Sequence, residues 1–334
     1  MTNKIKKYAA IGLMSVLSFS VPSYAATEMA PTNQVQNMPI EQQVAYVAQN
    51  KNETVIKRAE ALRQLVRYPN QNSLVAVARG LKDPSSVIRE AAITGSKLYK
   101  FEHRWRMLTP LLNDAEFNVR MAATVNLLRN YQTMNVDQKH NFEASYQDLV
   151  AYLQRQPDQQ LLLADAYRWH GEWKKSEVIY QRLVKIDPKN NQIWLNLSDN
   201  YRAQDQDEKA LVVLNNAIKQ LPQEASLYYA IALTQVRLNQ KKSAAESMTI
   251  ATTLADNNSY YWYLNGVLHQ DFDLTVAIAS FEKAYLISGS PEQLYALCDI
   301  YIRHGNEKAN ACITELEKLA PESVIKQLKH NRKE

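Results

Sequence analysis

The sequence predicts an all-α protein, a right-handed α-solenoid of helical hairpins in which one repeat array joins another. Two observations carry that expectation. The chain repeats itself at two fixed spacings, 31 residues in its first third and 34 residues over its second half. Recurrence at a fixed period of roughly 20–50 residues marks an architecture of stacked units. Glycine is also scarce, 7 residues in 334, while 46% of residues are hydrophobic. That balance suits helices joined by short turns better than glycine-punctuated sheets.

The N-terminus reads as a processing segment. Lys4, Lys6 and Lys7 form a basic head, residues 9–21 are mostly apolar, and Pro22 precedes the small residues Ser23 and Ala25. This pattern predicts a signal peptide over residues 1–25, cut between Ala25 and Ala26. An uncleaved anchor is the alternative, but the apolar run is short of the roughly 20 residues that cross a bilayer. No later stretch of the chain is apolar enough to span a membrane. The mature protein is therefore expected to be periplasmic or secreted. Residues 26–38, with Pro31 and several Asn, Gln and Thr, read as a flexible leader. The net charge of +5 includes the three signal lysines, and residues 1–25 hold no Asp or Glu, so 36 basic residues face 34 acidic ones after cleavage. A balance of +2 is no nucleic-acid footprint, and a nucleic-acid partner is not expected.

Residues 39–131 form the first array. Arg58, Arg89 and Arg120 recur at 31, as do Ala61, Ala92 and Ala123, and six residues before each arginine stands Asn52, Asp83 or Asp114. Each unit reads as a helical hairpin. The acid belongs to the turn, where it can cap the second helix and oppose its dipole, and the alanines let that helix lie close to its neighbour. These residues resemble HEAT-like repeats. The resemblance implies that the turn acid pairs with the helix arginine between successive units, and Asn52 puts a charged ladder starting there in question.

Residues 132–156 carry Phe142, Tyr146, Leu149, Val150 and Leu153 at helical spacing, which predicts a bridging helix joining the arrays. From residue 157 the period becomes 34. Pro188 and Pro222 end successive units, Ser176, Ala210 and Ala244 recur, and Tyr180, Leu214 and Met248 fill the following large slot. A small side chain on one helix admits a bulky one from the other. Trp194…Leu197…Tyr201…Ala210…Leu214…Ala217…Pro222 resembles the tetratricopeptide pattern, with Ser198 in place of its glycine; Trp262…Gly266…Ala277…Phe281…Ala284 and Leu294…Leu297…Tyr301…Gly305…Ala309…Leu316…Pro321 resemble it again. Five such units are expected over residues 157–322, with a capping helix and tail over 323–334.

Signals for catalysis are poor. The six histidines are scattered without metal-ligand spacing, no phosphate-cradling loop or nucleophile motif occurs, and neither a cofactor nor a metal is expected. His170 beside Trp169 reads as a structural residue of a repeat turn. Cys298 and Cys312 lie in the two helices of the last unit, on faces toward each other. In an oxidising compartment they can staple the hairpin as a disulfide; two buried free thiols are the alternative. Neither belongs to a Cys-x-x-Cys-His motif, so covalent haem attachment is not expected.

In tetratricopeptide arrays the first helices line a groove. The resemblance places Asp165, Asp199 and Asp299 there, each two residues before a tyrosine, with Arg168, Arg202 and Arg303 one turn later and Tyr229, Tyr263 and Tyr295 as a ladder through the later units. Acid and arginine at this spacing can pair and merely solvate the wall, while arginine and tyrosine are also favoured contact residues. Leu161 and Leu195 stand where some family members carry a lysine that clamps a C-terminal carboxylate, so that mode is not expected. The leading functional expectation is an exported, non-catalytic scaffold or adaptor gripping a protein segment, with the first array meeting a second surface. Residues 196–202, Asn-Leu-Ser-Asp-Asn-Tyr-Arg, also resemble the haem-free C-terminal region of certain periplasmic multihaem cytochromes, which implies an accessory protein docking a cytochrome or another envelope complex. A small-ligand carrier, or an enzyme with an unrecognised site, is the third alternative.

Overall fold

A computed structural model describes residues 38–330. The expected signal peptide, nearly all of the leader and the last four residues of the tail lie outside them. The described residues form 18 α-helices and no strand. The first array contains α1 (Ile40–Gln49), α2 (Val55–Gln64), α3 (Gln71–Gly80), α4 (Ser86–Gly95), α5 (Phe101–Leu108) and α6 (Phe117–Leu128). The single helix α7 (Val136–Leu153) follows. The second array is α8 (Gln160–His170), α9 (Trp173–Ile186), α10 (Asn191–Arg202), α11 (Asp207–Gln220), α12 (Ala225–Arg237), α13 (Lys241–Leu254), α14 (Ser259–His269), α15 (Leu274–Ser288), α16 (Pro291–Arg303) and α17 (Ala309–Leu316), with α18 (Glu322–His330) at the end. The architecture is an all-α solenoid of paired helical hairpins. None of the described helices is long and apolar enough to cross a membrane.

Local chemistry sets many of the boundaries. Asn135 caps α7 in a reciprocal capping box with Gln138. Asn190, Asn258, Asp273 and Ser290 accept backbone N–H bonds at the starts of α10, α14, α15 and α16.

In the first array like helices stack on like, α1 on α3 and α2 on α4 on α6. The pairing between units is present: Arg58 Nη2 donates to Asp83 at 2.7 Å, and Arg89 grips Asp114 with two bonds of 2.8 Å. Each arginine reaches forward to the acid of the next unit, so Asn52 has no preceding arginine to meet and its lack of charge breaks no rung. Arg120, the last rung, instead donates to the carbonyls of Asp114 and Ala115. The acids do not cap their helices directly. Asp83 and Asp114 accept from the N–H of Ser85 and Glu116, the N-cap residues of α4 and α6. Asp83 thus shapes the turn with one oxygen and meets Arg58 with the other, while Asp114 offers both oxygens to Arg89 and shares Oδ1 with the Glu116 N–H. Close approach is built in at Gly95, where a Cβ would sit 2.5 Å from the Leu62 carbonyl oxygen.

The second array packs differently, each second helix lying between its own first helix and the next. The small-and-large rule is explicit at Gly266, whose missing Cβ leaves room for the Phe281 ring, 2.9 Å away were it present. Between the arrays, α6 packs on both α7 and α8. One apolar cluster runs from Val44 through Phe142, Leu149 and Leu153 of α7 to Ala210, so the core is unbroken across the junction. His170 lies there as a filler, its ring 3.7 Å from that of Tyr146 and 4.2 Å from that of Tyr131. Cys298 and Cys312 are bridged, stapling α16 to α17.

Candidate functional site

The row of second helices α2, α4 and α6 continues through α6 and α8 into the first helices α10 and α12. All nine groove residues expected from the sequence stand on first helices of the second array, but they divide into three groups.

Asp165 and Arg168 on α8 form a closed knot. Their side chains are 15% and 14% exposed and 3.5 Å apart. Asp165 also accepts from the Tyr180 hydroxyl and from Asn196 Nδ2 at 2.8 Å, and Arg168 Nε donates to Tyr180 at 3.3 Å. Burial pushes the Asp165 carboxyl above the ordinary aspartate value, against the bonds that favour its charge. These groups tie α8, α9 and α10 together, and little of them is left for a visitor.

Asp199 and Arg202 on α10 are open. They pair at 3.0 Å with 42% and 48% of their side chains exposed. Both line a pocket of about 470 Å³ together with Leu195, Tyr229, Arg237 and Tyr261. Tyr229 stacks on Tyr261 at 4.9 Å and meets Tyr260 edge-on at 6.4 Å; Tyr263 continues the group, 6.4 Å from Tyr260 and 5.8 Å from Phe281. Burial, then the neighbouring Tyr260, raise the Tyr229 phenol above its usual value, so it stays a neutral hydrogen-bonding group. Arg237 is held by Asp207 at 2.8 Å. Each pocket arginine thus has its own acid, and the wall is close to neutral. Exposed pairs of this kind contribute at most about 1 kcal/mol to stability, so breaking them to receive a partner costs little.

The third group lies toward the C-terminus. Asp299 accepts from Arg303 at 2.8 Å, and Arg303 also reaches Gln270 at 3.0 Å. Tyr295 lines a smaller depression of about 280 Å³ with Pro291, Leu319 and Val324. It does not extend the ring cluster at Tyr229, so the tyrosines make a local cluster on α12 and α14 and not a ladder reaching Tyr295 in the last unit. Arg237, Tyr260 and Tyr261 were missed by the sequence reading, although the run Tyr260-Tyr261-Trp262-Tyr263 was the visible signal for two of them.

Among the described residues no three His, Cys, Asp or Glu side chains converge as a metal site. Stacked helical hairpins build extended binding surfaces. The class of protein that the fold defines is an array of HEAT-like and tetratricopeptide-like helical hairpins.

Comparison with known proteins finds likenesses over part of the chain. The family model described as tetratricopeptide repeat matches residues 160–190. Among solved structures, the chain is similar to one described as the crystal structure of MamA, with 17% identity over 51% of this chain and 96% of that one, at a TM-score of 0.41. It is similar to YrrB, described as a TPR protein with an unusual peptide-binding site, with 16% identity over 57% and 98% of the two chains and a TM-score of 0.43. A third is MamA from Desulfovibrio magneticus RS-1, with 19% identity over 50% and 96% and a TM-score of 0.37. No curated protein matches the chain.

Proposed function

We propose that this chain is an exported scaffold or adaptor that holds a segment of a partner protein against α10, α12 and α14. The observation that carries the reading is the pocket in which Arg202, Arg237, Tyr229 and Tyr261 converge beside Leu195. It joins flat aromatic surface to hydrogen-bonding rims, the combination that dominates protein contacts. Because its charges are internally paired, the segment it suits is recognised by side-chain shape and backbone polarity and not by net charge. Export rests on the basic, apolar and small-residue pattern of residues 1–25. The first array supplies a further surface for a second contact. Docking of a cytochrome is not preferred, because its motif spans residues 196–202 and Asn196, Leu197, Ser198, Asn200 and Tyr201 are buried as packing residues.

The test places a photo-crosslinking residue at Leu233, in the pocket, and at Val212, exposed on the second helix α11. Cells expressing each variant are irradiated. The reading expects a discrete crosslinked partner from position 233 alone, lost when Arg202→Glu and Tyr229→Ala are combined. The same products from both positions, or products indifferent to the double substitution, would refute it.

A further inference from the structure

Where the two arrays meet, α4, α6, α7 and α8 line a separate open pocket of about 400 Å³. Phe117, Met121, Val125, Leu149, Tyr152 and Leu162 form an apolar side of a lining that also carries Thr94, Asn118, Asn126 and Gln159. Phe117 and Tyr152 stand edge to face at 4.8 Å and fix one wall. Two cations, Lys97 and Arg129, share the lining with one acid, Glu90. Among the described residues neither cation has an acid within ion-pair distance, unlike the paired arginines of the groove. Arg129 is nevertheless held in place, its guanidinium lying 4.3 Å over the Trp169 ring. The acid whose field acts on it, Asp165, is already engaged by Tyr180, Asn196 and Arg168.

A cavity of this size lies within the range of small-molecule sites, which combine apolar lining with a few fixed polar groups. The lining carries a net charge of +1, and a guanidinium pre-positioned on an aromatic face is suited to a carboxylate. An apolar body fits the floor, and a single negative end answers Arg129 and Lys97. We infer that this junction is a binding site for a free monocarboxylate with an apolar chain, of the medium-chain acyl or arylalkyl kind. The site is independent of the groove, sharing no residue with the pocket at Arg202 and Tyr229.

Decanoate is the probe, with decanol of the same chain length as the uncharged control and a peptide with a free C-terminal leucine as the competing source of carboxylate. Binding to the full mature chain is read from the Met121 methyl resonance, assigned with Met121→Leu. The inference expects a saturable shift with decanoate at sub-millimolar to low-millimolar concentration, at least tenfold weaker binding by decanol, and at least tenfold weaker binding of decanoate to Arg129→Gln. Lys97→Gln should weaken it less, and Arg202→Glu combined with Tyr229→Ala, the pair that tests the groove, should leave it unchanged. Four results would overturn the assignment: no shift with decanoate, equal binding of decanol, indifference to Arg129→Gln, or a peptide that binds where decanoate does not.

Discussion

Replacing Asp114 by alanine tests whether the first array is held by its ladder as well as by its core. Arg89 and Asp114 are joined by two bonds of 2.8 Å. Their side chains are 14% and 8% exposed, so the pair is neither a free surface pair nor a dry interior one. Surface pairs contribute about 0–1 kcal/mol, and removing one partner of a fully buried pair costs about 3–5 kcal/mol. The intermediate burial and double bond place Asp114→Ala at about 2 kcal/mol, including the lost bond from the Glu116 N–H. Arg58 and Asp83, joined by one bond, should yield about 1 kcal/mol on Asp83→Ala by the same scale. The Arg89 bond, outweighing burial, holds the Asp114 carboxyl below the usual aspartate value. A depressed aspartate contributes its stability above the unfolded value of about 3.9 and loses it as pH falls through the lower folded value. Asp114→Asn should therefore flatten the acid limb of the stability curve while changing little between pH 3.9 and neutrality in slope. The assay is urea unfolding followed by circular dichroism, in a double-mutant cycle with Arg89→Met at pH 7 and pH 3. A coupling under about 0.3 kcal/mol at pH 7, or a coupling equal at both pH values, would refute the reasoning.

Three further outcomes follow from other contacts. Gly266→Ala should destabilise by about 1–3 kcal/mol through overpacking against Phe281, and Phe281→Leu should recover part of that loss in thermal melts. Arg104 is buried and donates to the Tyr99 carbonyl at 3.0 Å and to Asn126 Oδ1 at 2.7 Å. Arg104→Met should cost about 3 kcal/mol by stranding those acceptors, and a melting temperature equal to that of the parent chain would count against it. Reducing the Cys298–Cys312 bridge, which spans 14 positions, should remove about 3 kcal/mol of local stability. Amides of α16 and α17 should then exchange faster while those of α2 and α4 do not.

The fold class was legible because repeats write the same packing requirement into the sequence several times. Arg58, Arg89 and Arg120 recur because each unit stacks the same way, and Gly266 with Phe281 shows one side chain yielding space to another. Site residues were less legible for a physical reason visible at two positions. Asp165 and Asp199 share the same local pattern, yet only Asp165 turns inward, where Tyr180 and Asn196 await it. One period later those partners are Leu214 and Ala230, which offer no polar atom, and Asp199 stays outside with Arg202. Tyr295 likewise takes its surroundings from Leu319, Pro321 and Val324, at the end of the last unit and in the helix after it, where no further unit follows. The junction cavity draws on four helices, so no run of sequence announces it.

The lone helix α7 carries a consequence for how such a chain is assembled. An α-helix turns 100° with every residue, and α7 is seated by one stripe, Phe142, Tyr146, Leu149 and Leu153, in the core that both arrays share, with Tyr146 stacked on His170. Its residue count therefore acts as a phase setting between two lattices of unequal period. Adding or deleting one residue within it would swing one array around the other by more than a quarter turn, so the register of this single rod dictates which faces of the molecule look the same way.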